Sequence, residues 1–120
     1  MPTPVDLNEK LGLFSDHWSP KVVAQMNDVQ FKLVKLQGEF VWHKHDDTDE
    51  TFLVLDGHLV IETREGGLIL EKGQMVVIPK GLEHRPVAAE ECHLMLIEPI
   101  GVVNTGDAET GRTAPNDVWI

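Results

Sequence analysis

The sequence predicts a small all-β domain that closes into a barrel or sandwich. From about residue 28 onward, short apolar segments rich in Val, Ile and Leu recur roughly every 8–12 residues, the usual spacing of strands in such folds. Gly, Pro or Asp closes each segment. No long stretch between residues 28 and 100 has helical periodicity. These observations favour strands joined by tight turns.

The predicted elements follow in chain order. Residues 6–14 can form a short helix. The predicted strands are Val29–Leu36, Phe40–Trp42, Phe52–Leu55, Leu59–Ile61, Leu68–Leu70, Met75–Ile78 and Leu94–Ile97. Reversals are predicted at Asp56-Gly57, Glu65-Gly66-Gly67, Glu71-Lys72-Gly73 and Pro79-Lys80-Gly81, and the first of these is a strong hairpin signal. We therefore expect consecutive strands to be antiparallel neighbours, followed by a loop-rich tail over residues 101–120 that Trp119 and Ile120 anchor.

The whole chain, residues 1–120, is predicted to be one domain, because this length can bury a core without disulfide or metal support. We expect the barrel to occupy about residues 28–100, with an N-terminal arm and the C-terminal tail packed on it. The segment Phe52–Leu55 is apolar on both faces, whereas a strand with one wet face alternates. A second layer or a partner subunit must cover its outer face, and we expect a homodimer.

Composition disfavours two classes of partner. The formal net charge of −10 argues against nucleic acid and anionic membranes, which need a positive protein surface. The N-terminus lacks the basic and apolar regions of a signal peptide, and no apolar run is long enough to span a bilayer. Cys92 is the single cysteine and lies among apolar residues, so we expect a buried thiol and no internal disulfide. These features predict a cytoplasmic protein.

Three histidines and one glutamate form the candidate functional site. His43 and His45 are two residues apart on a predicted strand, so their imidazoles share a face and can converge on one ion. Glu50 opens the next strand on its apolar face, where a charge is costly unless it is paired or bound to a metal. His84 follows the fourth predicted turn, which would carry a further strand across the barrel mouth. The alternative is a set of surface histidines on an ordinary β-sandwich.

Two glycine-punctuated patterns resemble the signature motifs of the cupin superfamily. The first consists of Gly38, His43, His45, Glu50 and Gly57, separated by four, one, four and six residues. The second consists of Gly73, Pro79, Gly81 and His84, separated by five, one and two residues. The first motif usually has one more residue before its first histidine, and the second usually ends in Asn where this chain has Ala88. Neither departure changes a ligand position.

The resemblance is to a small single-domain cupin of the conserved-barrel type, and it implies both a fold and a cofactor. The implied fold is a double-stranded β-helix, or jelly-roll, barrel. The implied cofactor is one divalent transition metal ion held by His43, His45, Glu50 and His84. Three imidazoles and one carboxylate leave such an ion with a net charge of roughly +1 and, in octahedral geometry, with open positions. Mn, Fe, Ni, Co or Cu would then suit a catalyst better than Zn, whose usual tetrahedral site four protein ligands would fill.

The remaining polar candidates have simpler interpretations. His58 follows a predicted turn and is expected in solvent, and His93 is expected to be a hydrogen-bonded core histidine rather than a fifth ligand. Trp42 should face away from the metal. We interpret three acidic residues as a solvated turn: Asp46, Asp47 and Asp49. His17 and Trp18 are interpreted as rim or packing positions. Residues 104–107 resemble a tail segment of small cupins and receive no role.

The implied metal centre suggests an enzyme, dioxygenase-like or isomerase-like, that acts on a small organic molecule. The alternatives are a non-catalytic module that binds or senses a small ligand with its metal, and a barrel with an incidental metal. The chain has no tyrosine, and no Lys or Arg clearly points inward. This composition disfavours an isomerase that holds a phosphate.

Overall fold

The computed structural model describes residues 1–108 and 110–120. Within these residues seven strands pair in one antiparallel sheet beside a single short helix, which confirms the predicted all-β class. The elements are α1 (Leu7–Leu11), β1 (Lys21–Met26), β2 (Val29–Glu39), β3 (Glu50–Asp56), β4 (His58–Thr63), β5 (Gly66–Glu71), β6 (Met75–Ile78) and β7 (His84–Pro99). In this described chain, no helix has the length and apolar character needed to cross a membrane.

The long strand β7 organises the sheet. It has 16 residues and pairs with β2, β3 and β4. The strand order is β1-β2-β7-β3-β6, and β4 links β5 to β7, so strands far apart in sequence become neighbours, as in a jelly-roll barrel. In the described chain only two consecutive pairs, β1–β2 and β4–β5, are hydrogen-bonded neighbours. The expectation that consecutive strands pair throughout is therefore wrong.

The predicted hairpin at Asp56-Gly57 shows why that expectation fails. β3 and β4 do not pair with each other, and both pair with β7, at Asp56 with His93 and at Val60 with Val87. Gly57 has a φ of +81°, and a Cβ on it would lie 3.0 Å from the backbone oxygen of Glu91. The glycine therefore bends a chain that runs along one partner strand. The reversal predicted at Glu65-Gly66-Gly67 is confirmed between β4 and β5, but Gly66 and Gly67 already belong to β5.

The segment between β2 and β3, predicted as the strand Phe40–Trp42, is not a strand. Its backbone makes isolated contacts instead: the Phe40 N–H donates to the Pro86 oxygen at 3.0 Å, and His43 forms a single bridge with His84. Because the segment is not held in a regular ladder, its side chains need not alternate between two faces.

A second apolar layer covers part of the outer face of the sheet. Strand β1 was not predicted, and its Val22 and Val23 are buried. Leu53 and Leu55, on the outer face of β3, pack in a cluster with α1 and with Ile120. The helix α1 begins after Asp6, whose carboxylate accepts the Asn8 N–H at 3.0 Å. Ile120 therefore anchors the tail as expected, whereas Trp119 is half exposed.

Candidate metal centre

The fold brings His43, His45, Glu50 and His84 together inside the barrel. All four side chains are buried, and one potential ligand atom from each lies within 4.8 Å of the others. His43 and His45 come from the segment between β2 and β3, Glu50 is the first residue of β3, and His84 is the first residue of β7. The cluster has the donor types and the spacing that a single metal ion needs.

A backbone pair holds two of these residues side by side. The His43 N–H donates to the His84 oxygen at 3.0 Å, and the His84 N–H donates to the His43 oxygen at 2.9 Å. Their imidazole centroids are 4.4 Å apart. The two sequence motifs therefore meet at this reciprocal pair of hydrogen bonds, and the backbone pairing determines the separation of the two imidazoles.

Hydrogen bonds at the far side of two rings define the tautomers. The Nδ1 atoms of His43 and His84 each lie 2.9 Å from a backbone oxygen, that of Val41 and that of Leu82. A carbonyl oxygen can only accept, so each Nδ1 carries a proton, and in the neutral form of each ring the Nε2 lone pair points into the cluster. This is the arrangement that metal-binding histidines adopt.

Several polar atoms of the cluster lack hydrogen-bond partners. The Nε2 atoms of His45 and His84 and the Oε1 atom of Glu50 are buried without a partner among the described residues. Glu50 Oε2 is 3.4 Å from His45 Nε2, and Glu50 Oε1 is 3.6 Å from His84 Nε2, both longer than an ordinary hydrogen bond. A cation at the centre would satisfy these atoms together, so the residues present fit a metal ion.

The charge states of Glu50 and His43 suit a cation. Burial alone would raise the pKa of the Glu50 carboxyl, but the His45 and His84 imidazoles beside it hold that pKa well below its ordinary value. Burial, reinforced by the neighbouring His84, lowers the pKa of His43 from 6.5 to about 4. Near neutral pH the site therefore offers one carboxylate and, at His43, a neutral imidazole, without the loss of a proton.

A buried ion pair behind Glu50 corrects the expectation that no Lys or Arg points inward. Lys32 Nζ lies 2.9 Å from Glu98 Oε1, and each side chain is only 2% exposed. Burial, together with the Glu50 charge, raises the pKa of Glu98 well above its ordinary value. The alternation of residues along β2 carried a signal that Lys32 is buried, because Lys32 shares a strand face with Val34 and Leu36. A lysine is tolerated there because it has a carboxylate partner.

The tail segment 104–107 also has a role that sequence reasoning missed. The Lys44 N–H donates to Asp107 Oδ1 at 2.8 Å, and the Asp107 N–H donates to the Lys44 oxygen at 3.0 Å. Gly106 has a φ of +54°, and a Cβ on it would lie well inside van der Waals contact of the Lys44 carbonyl. The tail therefore clamps the residue between His43 and His45, which needs glycine at position 106.

The other candidates lie away from the cluster. His58 is exposed, as predicted. His93 is half-buried and its Nε2 lies 2.9 Å from Glu91, so it is hydrogen-bonded but is not the core residue expected. Trp42 faces outward, with the Arg64 guanidinium carbon 3.7 Å from its ring centroid. Cys92 is buried as predicted, and burial raises the pKa of its thiol to about 11.

An antiparallel jelly-roll barrel with these four donors inside it defines a class of barrel proteins. Comparison with known sequences identifies the family to which the chain belongs. The family model described as "Cupin domain" matches residues 31–98, more than half of the chain. The chain therefore belongs to the cupin family.

Solved structures and a curated sequence agree with this assignment. A cupin-2 domain containing protein from Shewanella frigidimarina is 58% identical, with a TM-score of 0.78, over 79% of this chain and 93% of that one. Protein NMB1881 from Neisseria meningitidis is 31% identical, with a TM-score of 0.75, over 81% and 99%. The uncharacterized protein YdbB from Bacillus subtilis (strain 168) is 38% identical over 64 residues, which are 52% of this chain and 57% of YdbB. The chain thus matches little more than half the length of that curated relative.

Replacing Gly106 with alanine should damage the cluster through its backbone support. The new methyl group would press on the Lys44 carbonyl and strain a left-handed backbone, so we expect Gly106→Ala to lower the free energy of unfolding by about 2–3 kcal/mol. It should also lower the metal bound per chain. Gly111→Ala is the matched control, because no described atom lies within 4 Å of its new Cβ. Urea unfolding and elemental analysis measure both effects, and equal losses in the two variants would contradict the clamp.

The metal-free protein should lose stability between pH 6.5 and about 4 through His43. In this window the unfolded chain takes up a proton at His43 while the folded protein does not, so the free energy of unfolding falls as the pH falls. The shift corresponds to a loss on the order of 3 kcal/mol. Urea titrations of the metal-free wild type and of His43→Gln would show a steeper decline in the wild type. Parallel pH profiles would mean that His43 keeps its ordinary pKa.

Proposed function

We propose that the chain binds one divalent transition metal ion through His43, His45, Glu50 and His84 and is a metal-dependent, dioxygenase-like enzyme that acts on a small organic molecule. The observation that carries the proposal is the convergence of four buried donors, several of which have no partner among the described residues. When bound, the ion would supply a Lewis-acid or dioxygen-activating centre inside the barrel.

The surroundings of the cluster favour oxidative chemistry over isomerisation. An isomerase of a sugar phosphate needs cationic groups for the phosphate and a proton-transfer group beside the substrate. The adjoining cavity is lined by described residues that include His43 and Glu50 but no Lys or Arg. The buried Lys32 is already paired with Glu98, whose Oε1 lies 2.9 Å from its Nζ. The alternative of a non-catalytic binding or sensing module shares the metal and lacks turnover.

Ligand substitutions should separate the four proposed ligands from the bystander histidines. His84→Ala should abolish stoichiometric metal, because it removes one of four donors to the same ion and leaves a cavity in a buried site. Glu50→Gln keeps the shape and removes the only anionic donor, so we expect a drop in affinity of about tenfold to a hundredfold. His58→Ala is the control, since His58 is exposed and outside the cluster. Elemental analysis of proteins purified under identical metal supply measures the outcome.

Full occupancy in His84→Ala would refute the four-ligand site. The catalytic part is tested with the same proteins, by oxygen uptake with catechols, diols and thiols under each candidate metal. We expect uptake that depends on the metal and disappears with His84→Ala, but not with His58→Ala. A loaded wild type that binds these molecules without consuming oxygen would support the binding module instead.

We also infer that the protein is a homodimer in the cytoplasm, and the free edge of β6 supports the dimer. β6 pairs only with β3 among the described strands, and its Met75 and Val77 are 57% and 51% exposed.

We expect light scattering to give about twice the 13.4 kDa chain mass. Val77→Lys should shift the protein to monomer, because it places a charge on the edge. Leu13→Lys, at an exposed site outside the sheet, should not. A wild-type mass near that of one chain would exclude the dimer.

A further inference from the structure

A small cavity adjoins the proposed metal centre. It has a volume of about 30 Å³, and it is bordered by His43 and Glu50 of the cluster. Nine of its twelve lining residues are apolar, among them Val34, Phe52 and Leu94. A molecule that reached the metal from this side would therefore bury most of its surface against hydrocarbon.

The polar groups of the lining are already engaged. Apart from the two cluster residues, the polar lining residue is Asn104. Its Nδ2 donates to the backbone oxygens of Trp18 at 2.9 Å and Arg112 at 3.1 Å, and its Oδ1 accepts the Ala114 N–H at 2.9 Å. The amide thus has no donor to spare. A ligand with a second charged group, or with several hydroxyls, would leave those groups without partners in the cavity.

Trp18 and Phe40 form one wall of the cavity. The two rings are stacked with centroids 4.6 Å apart and an angle of 10° between their planes. On this stack lies the guanidinium of Arg112, with its carbon 4.9 Å from the Phe40 centroid and 5.5 Å from the Trp18 centroid. Arg112 is exposed, so the stack separates the cavity from solvent on this side.

Trp18 is held in place by several hydrogen bonds. Its N–H donates to the Lys35 oxygen at 2.9 Å, its indole Nε1 donates to the Gln37 oxygen at 3.0 Å, and its own oxygen accepts from Asn104. Its φ of +62° is in the left-handed region, which a bulky residue adopts only where its surroundings require it. The indole is therefore a fixed part of the cavity wall, and it leaves only a small space for a ligand.

From this we infer that the cavity admits a small, largely apolar ligand that has one metal-binding head and no second charged group, and that Trp18 is the residue that limits the ligand's size. The inference rests on the proposed metal centre and adds the class of molecule that reaches it. Trp18 and Phe40 contribute shape alone, and the head group is recognised by the metal. Sugar phosphates and polyols are excluded by the same lining.

The test uses the full chain loaded with cobalt(II) and three thiols that share a head group and differ in their tails. Propane-1-thiol is small and apolar, 2-mercaptoethanesulfonate has a charged tail, and phenylmethanethiol has a larger apolar tail. Binding is followed by the sulfur-to-cobalt absorption band and by changes in the visible cobalt spectrum. The variants are Trp18→Ala and, as a second opening of the wall, Trp18→Leu. The control is Trp119→Ala, since Trp119 does not line the cavity.

In the wild type we expect propane-1-thiol to bind at least about tenfold more tightly than 2-mercaptoethanesulfonate, because the sulfonate would be buried without donors. In Trp18→Ala or Trp18→Leu, phenylmethanethiol should bind at least about tenfold more tightly than it does to the wild type. Propane-1-thiol should change by less than about threefold in these variants. Trp119→Ala should match the wild type with all three thiols.

Two results would overturn the inference while leaving the proposed metal centre intact. One is a wild type that binds the sulfonate as tightly as propane-1-thiol, a comparison that needs no variant. The other is an unchanged ratio of affinities for the two apolar thiols in both Trp18 variants that retain cobalt. A wild type that does not retain cobalt would overturn the proposed function and the inference together, whereas a cobalt-loaded wild type whose spectrum no thiol changes would overturn the inference alone.

Discussion

The buried charge of Glu50 is the constraint on which the centre of the molecule depends. Its carboxylate opens β3 on the inner face of the sheet, where desolvation of an unpaired charge costs several kcal/mol. Three imidazoles lie around it, and Glu98, which is paired with Lys32, is a further neighbour. Each of these neighbours is costly to bury alone. They are compatible with the interior because their charges, lone pairs and protons compensate one another, and a cation would complete the set.

Support for the imidazoles comes from backbone groups, some two residues away and others far apart in the chain. His43 and His84 are oriented by carbonyl oxygens two residues before each of them, and they are joined to each other through the main chain. The tail reaches back to hold Lys44 between two proposed ligands. The geometry of the cluster therefore depends on the closed barrel as well as on the two motifs, since the pairing of His43 with His84 and the contact from the tail join segments that are far apart in the chain.

Much of the fold and the ligand set could be predicted from sequence, because each depends on local patterns. Strands such as β3 and β6 carry their own apolar pattern, and the order of His43, His45, Glu50 and His84 among glycines is distinctive. Pairing could not be predicted in the same way. Asp56-Gly57 has hairpin chemistry, but the partner of both flanking strands is β7. Local turn propensity gives no information about a strand that comes later in the chain.

The features that were missed depend on contacts between segments far apart in the chain. Lys32 is tolerated in the interior only because Glu98 lies beside it, and Gly106 looks like a loop glycine until Lys44 is placed beside it. Strand β1 has only two consecutive valines, so its composition gives little sign of a strand. Its regular structure comes from its pairing with β2.

The dominance of β7 also determines the order in which the molecule can form. β2 pairs Val29 with Pro99 and Leu36 with Cys92, so the barrel closes only when the two ends of its core meet. Loop-closure entropy must be overcome before this pairing yields any stabilisation, which makes such a topology slow to fold. During synthesis, a metal ion that meets the emerging chain finds only His43, His45 and Glu50, because His84 is the first residue of the last strand. The four donors of the candidate site therefore converge only after the barrel has closed, and a metal ion would meet them in a folded protein rather than direct its folding.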